Sequence, residues 1–151
     1  MKQTVFEAMG GQDAVLRLAE AWHHRVMADP MVSHAFHAGV HEHHTERLAA
    51  FFAEQLGGPA AYTADMGDYS TVIRTHTGNG PHEQMDGRAI AAFVLALDDA
   101  AIPGGEKLRS TLIAWWGWAT AMLNHHWESP EEVPDDLPLP QWDWDGTPEG
   151  W

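Results

Sequence analysis

Apolar residues return every three or four positions through most of this chain, the period of amphipathic helices and not of strands. Val15, Leu18, Ala19, Trp22 and Val26 line one such face, and Asp29-Pro30 closes it. His44, Leu48, Phe51, Phe52 and Gln55 share the face of another helix, which Gly57-Gly58-Pro59 ends. A shorter helix from Tyr69 sets Val72, Ile73 and His76 on one side before Gly78-Asn79-Gly80-Pro81 stops it. Pro81 is well placed to open the next helix, along which Met85, Ala89, Ala92, Phe93 and Ala96 recur until Ile102-Pro-Gly-Gly105. The strongest pattern comes last: Leu108, Leu112, Trp115, Ala119 and Met122, widened by Trp116, Trp118 and Leu123. At the start, Thr4-Val-Phe-Glu7 has the form of a capping box, and Gly10-Gly11 ends its short turn. A short segment from Met31 to Phe36 leads into a turn rich in histidine, with His37, His41, His43 and His44. No strand alternation and no internal repeat emerge, so the expected fold is all-α.

The pattern changes at Glu128. Residues 1–127 read as one globular domain, and residues 128–151 as an acidic, Pro/Trp-rich extension without regular structure. Proline at that density forbids a helix, and the acidic residues favour solvent. Trp142, Trp144 and Trp151 point the other way, because a solvated indole gains nothing by staying exposed. Two readings stand: an extension laid across the body with Trp142 or Trp144 as an anchor, or a mobile tail.

Composition narrows the function classes. A chain of 151 residues with 44% hydrophobic content is long enough to bury a core as a single domain. Its 22 acidic residues against 8 basic give a formal net charge of -14, which repels phosphate backbones and anionic lipid. The longest apolar run, Leu112 to Leu123, is too short to span a bilayer. No apolar signal-peptide core follows Met1-Lys-Gln-Thr, so the expected location is cytoplasmic. With no cysteine, any metal must rest on histidine or carboxylate.

His44 and His76 therefore stand out, each set among large hydrophobes on a separate helix. That arrangement suits a flat apolar cofactor with a metal at its centre, held by one histidine and overlooked by the other. Spacing alone also allows His76 to be an ordinary structural histidine. A different site is conceivable in the remaining histidines. His37 and His41 have the i, i+4 spacing of a metal pair, His43 and His44 follow closely, and His125-His126 lie further on. Zinc, nickel or copper would suit such a cluster, although without a positioned carboxylate it also reads as a surface feature. The chain has no Gly-rich phosphate loop after a strand, no nucleophile elbow and no His-Glu-x-x-His.

The segment Leu56-Gly-Gly-Pro-x-x-Tyr62, with a histidine closing a short helix after it, resembles the truncated haemoglobins of the second group. The likeness extends upstream through Phe6-Glu-Ala-Met-Gly-Gly11 and Arg25-Val-Met-Ala-Asp-Pro30, and covers roughly the first 125 residues. The resemblance implies a two-over-two helical sandwich around one b-type haem. It implies His76 as proximal iron ligand, one residue further from the Gly-Gly-Pro segment than the family sets it. It puts His44 over the iron with Leu48 one turn on, His23 where the family has a tyrosine that hydrogen-bonds ligand, and Phe36 where an aromatic wedges the haem. His44 has two readings, a hydrogen-bond donor to ligand or a second iron ligand, and His23 also reads as a histidine of the helix surface.

Arg47, Tyr62 and Arg74 are the candidate partners of the haem propionates, since basic residues are scarce. Their alternative is pairing with neighbours such as Glu46 or Asp68. Phe51, Phe52, Met85 and Phe93 are expected to pave the pocket, the core, or both. One departure is plain: the family's tryptophan on the next helix falls near Arg88 and Ala89 here, with no aromatic before Phe93. Three functions follow as expectations. The first is capture of dioxygen or another diatomic. The second is haem enzymology such as nitric oxide dioxygenation or peroxide-driven oxidation, served by an electron-donating reductase. The third is non-haem metal binding by the histidines. A homodimer is compatible with each.

Overall fold

A computed structural model of the chain describes residues 2–36, 39, 42–78, 83–146 and 151. Among them the regular structure is helical: α1 (Val5–Met9), α2 (Gly11–Ala28), α3 (Pro30–Ser33), α4 (His44–Gln55), α5 (Ala61–Asp65), α6 (Tyr69–His76), α7 (Glu83–Asp99) and α8 (Glu106–Asn124). Short 3-10 turns occupy His34–Phe36 and Pro130–Glu132. The expected start of α7 at Pro81 lies outside the described residues.

The helix ends are set locally. Thr4 and Glu7 form both halves of the capping box on α1. Asp29, which ends α2, turns its carboxylate to the Met31 N–H and caps α3. Between α4 and α5 the two glycines have different work. Gly57 takes a left-handed φ of 96°. At Gly58 a Cβ would come within 2.8 Å of the Ala53 carbonyl oxygen and 2.9 Å of the Phe6 ring. The Leu56-Gly-Gly-Pro segment is thus the point where α1 is pressed against the end of α4, and Phe6 N–H donates to the Leu56 carbonyl at 2.9 Å.

Two pairs of long helices make the body. α2 packs on α4, α7 packs on α8, and α2 also crosses α7. Trp22, Phe52, Phe93, Trp115 and Trp116 fill the space between them. The Phe93 and Trp116 rings stack with centroids 4.5 Å apart, and the Trp22 indole N–H donates to the Ala89 carbonyl at 3.2 Å. Buried Gln55 accepts the Trp115 indole N–H at 3.2 Å, which satisfies two polar groups inside the core.

A second cluster joins Ala50, Phe51, Tyr62, Tyr69, Ile73 and Val133. The expectation that Phe51 and Phe52 share one face is therefore corrected. Adjacent helical residues point about 100° apart, and the two rings enter different clusters: Phe52 meets Trp115 and Trp116, while Phe51 meets Tyr62 and Tyr69.

The extension lies on the body. Val133 and Trp142 are buried, and the Trp142 N–H donates to the Gln55 carbonyl at 2.6 Å. The Trp144 indole N–H donates to the Gln3 carbonyl at 2.7 Å, with the Lys107 ammonium 5.6 Å from its ring. Trp151 meets Tyr69 and Trp118 edge-on. These indoles supply the apolar area that the prolines and carboxylates around them lack.

Candidate functional site: a histidine pair and an anchored histidine on separate helices

α6 carries the first part of the site. Asp68 caps it, accepting the Thr71 N–H at 2.8 Å and its hydroxyl at 3.0 Å. Those bonds, the backbone one first, hold the Asp68 carboxyl below the usual carboxylate range. Buried Tyr69 and Ile73 fix the inner face. One turn after Val72, half-buried His76 brings Nδ1 to 2.7 Å from the Val72 carbonyl oxygen. A carbonyl only accepts, so Nδ1 carries a proton, and in the neutral ring the lone pair is then on Nε2. This is the tautomer that lets a histidine ligate a metal through Nε2, with its other nitrogen tied as in such ligands generally.

α2, the 3-10 turn and α4 bring the second part together. His23 and His44 have ring centroids 4.9 Å apart. Phe36 stands edge-on to both, at 5.7 Å from His23 and 5.4 Å from His44. Three residues separated by up to 21 positions in sequence thus form one small wall of two imidazoles and a phenyl. Burial pushes the His23 pKa below its ordinary value, so the ring is neutral at pH 7. Its Nδ1 is buried without a hydrogen-bond partner among the described residues. Such a group costs free energy unless a ligand completes it.

Leu48, one turn after His44, is half-buried against the main core. Arg47 and Tyr62 are brought together, the guanidinium 5.9 Å from the ring and its Nη2 donating to the Met66 carbonyl at 3.0 Å. Burial raises the Tyr62 pKa, with Arg47 opposing it. Phe51 lies 5.0 Å from Tyr62. Arg74 has a destination that its sequence neighbours did not suggest: Nη2 donates to the Val133 carbonyl at 2.9 Å and pairs with the Asp135 carboxylate. Arg88 turns out to Asp29 at 3.0 Å, and the Ala89 carbonyl receives Trp22 from α2.

Two features escaped the sequence reading. The Val72 carbonyl is one, and the i, i-4 relation to His76 was the signal that could have found it. Ser70 is the other: it is buried, donating to the Pro134 carbonyl at 2.8 Å and accepting the Leu137 N–H at 3.1 Å, with no local sequence signal.

The alternative histidine cluster receives no support among the described residues, where no three metal-binding side chains converge. His43 meets Glu42, His125 meets Asp86 at 2.7 Å, and His126 packs on Trp127. His37 and His41 lie outside the described residues.

The donor set fits a haem. One histidine with its Nδ1 tied to a carbonyl suits iron ligation, and two imidazoles with an aromatic edge suit a small polar ligand beside an apolar ring. Paired long helices together with such a set define the globin class, here in its shortened two-over-two form. The sequence model of the bacterial-like globins matches residues 4–114, and the chain belongs to that family, which makes it a haem-binding globin. The haemoglobin of Chloroflexus aurantiacus is 25% identical, over 83% of this chain and 100% of its own, with a TM-score of 0.70. The group II truncated haemoglobin of Bacillus anthracis shares the fold at TM-score 0.71 and 21% identity, over 83% of this chain and 93% of its own. A group 1 truncated haemoglobin of Tetrahymena pyriformis is 33% identical over 60 residues, 40% of this chain and 50% of that protein. The chain thus spans half the length of that last relative. No helix among the described residues is long and apolar enough to cross a membrane.

Proposed function

We propose that the protein binds dioxygen or another diatomic at a b-type haem whose axial ligand is His76. The observation that carries this reading is the 2.7 Å contact between His76 Nδ1 and the Val72 carbonyl, which in the neutral ring puts the lone pair on Nε2. The absence of cysteine supports a non-covalent haem. When bound, the haem supplies a ferrous iron with a coordination position open to a diatomic.

The chain does the rest. His76 orients through Val72, while His23 and His44 offer donors to a polar ligand and Phe36 closes the edge beside them. Arg47 and Tyr62 form the polar border suited to a propionate. Arg74, engaged with Val133 and Asp135, is the weakest of the three candidates for that role.

A second reading, oxidation chemistry with peroxide or nitric oxide, draws on one specific observation. The His23 Nδ1 is buried without a hydrogen-bond partner among the described residues, beside the His44 ring, which is where a proton could be exchanged with an incoming peroxide. An electron-donating reductase belongs to this reading.

Visible spectra of the ferric, ferrous and carbon monoxide forms, taken beside His76→Ala, test the proposal. A Soret band in the wild type that is lost in the variant supports His76 ligation. Equal haem uptake by both proteins sinks it. A six-coordinate ferrous spectrum that becomes five-coordinate in His44→Leu would give His44 to the iron.

A further inference from the structure

α6 has eight residues, about two turns, and helices that short are not stable by themselves. Its position must come from what it touches. Those neighbours are α8 and the 3-10 turn of the extension. Toward α4 it packs through the buried cluster that joins Ala50 and Phe51 to Tyr69 and Ile73, with the Phe51 and Tyr69 rings stacked at 6.1 Å. The tie between the helix that carries His76 and the helix that carries His44 is thus apolar and gives α6 little directional restraint.

The extension adds the polar ties. Ser70 is 1% exposed, an unfavourable place for a hydroxyl unless it is satisfied. Both of its hydrogen-bonding roles are filled by the extension, at Pro134 and Leu137. Arg74, two residues before His76, holds the Val133 carbonyl and the Asp135 carboxylate. Val133 is 4% exposed in the cluster that contains Tyr69 and Ile73. Further on, the same segment reaches the end of α4, where Trp142 N–H meets the Gln55 carbonyl at 2.6 Å.

We infer that the extension from Pro130 to Trp142 is a strap that positions α6 against α4, with Ser70 and Arg74 as positioning residues that set how His76 presents its ring. This rests on the reading of His76 as axial ligand. It assigns Arg74 to the strap, and it explains why a serine is buried on α6 and why Val133 is buried within an otherwise acidic segment.

The test uses the full-length protein with Ser70→Ala, which removes both hydroxyl bonds, and Asp135→Asn, an exposed site where folding is not at risk. Asp135→Glu keeps the charge and serves as the restoring variant. Amide hydrogen exchange on the haem-free protein should become about tenfold faster in α6 in Ser70→Ala and faster, by less, in Asp135→Asn, with α2 and α8 unchanged. The iron–histidine stretching band of the ferrous protein should shift or broaden in both variants and return in Asp135→Glu.

Unchanged exchange in α6 overturns the strap. Exchange raised equally in every helix overturns it too, because the extension would then be a general stabiliser. Faster α6 exchange with an unaltered iron–histidine band overturns the positioning of His76. If the wild type takes up no haem, the axial-ligand reading fails alone, and exchange in the haem-free protein still decides whether α6 is strapped.

Discussion

The Val72 carbonyl accepts the Nδ1 proton of His76 at 2.7 Å, so the orientation of this imidazole is fixed by its own helix. That bond limits ring rotation and makes the Nε2 lone pair more basic. His76→Gly should lose the Soret band, and added imidazole should restore it. The restored protein should still lose haem at least about tenfold faster than wild type, since free imidazole has neither the chain nor Val72 to hold it. Haem transfer to an acceptor globin measures this, and equal rates would remove the anchoring role.

The His23 and His44 rings lie 4.9 Å apart, close enough to act on one small ligand. A hydrogen bond to a ligand in a water-poor pocket is worth about 1–3 kcal/mol, so losing one should speed release roughly ten- to a hundredfold. His23→Leu and His44→Leu, followed by stopped-flow displacement of dioxygen by carbon monoxide, assign the donor. The double variant should depart from the product of the single effects, because residues in contact couple. Release unchanged in both single variants would leave the pair without a role in ligand retention.

Most of the fold is written locally, and so was readable. The 3.6-residue period marks the helices, Thr4 with Glu7 and Gly57 mark their ends, and the Leu56-Gly-Gly-Pro segment with His76 carries the family likeness. The parts that escaped depend on contacts across long stretches of chain. Arg74 and Asp135 are 61 residues apart, and Trp142 and Gln55 are further still. Nothing in the period of α6 shows that its buried serine waits for Pro134 and Leu137. The split of Phe51 from Phe52 was hidden for a different reason: a wide apolar face looks the same in sequence whether it fills one core or two.

Burial lowers the His23 pKa from its ordinary value of 6.5, which makes a signed prediction about stability. Below about pH 6.5 the unfolded chain takes up a proton that the folded His23 resists, so stability present above that value declines as pH falls. Asp68 and Asp99, held below their ordinary value of 3.8 chiefly by the Thr71 N–H and by Arg25 respectively, act in a lower window. Their contribution is present above 3.8 and fades as pH drops beneath it. Urea midpoints of the haem-free protein between pH 5 and 7.5 should fall with acidity, and less steeply in His23→Gln. An identical slope in the variant would show that His23 titrates alike in both states.

Gly58→Ala tests the joint between α1 and α4. A methyl there would stand 2.8 Å from the Ala53 carbonyl oxygen and 2.9 Å from Phe6, neither of which can move freely. That carbonyl also accepts the Gly58 N–H at 2.7 Å, so relieving the clash weakens a bond as well. Overpacking of this kind costs about 1–3 kcal/mol, which for a chain of this size lowers Tm by roughly 3–10 °C. The joint is built from α1 and the end of α4, with no part of α6, so the ferrous spectrum of the variant should match wild type at low temperature. Thermal melts followed by circular dichroism decide it, and an unchanged Tm would mean that Phe6 yields where the packing says it is confined.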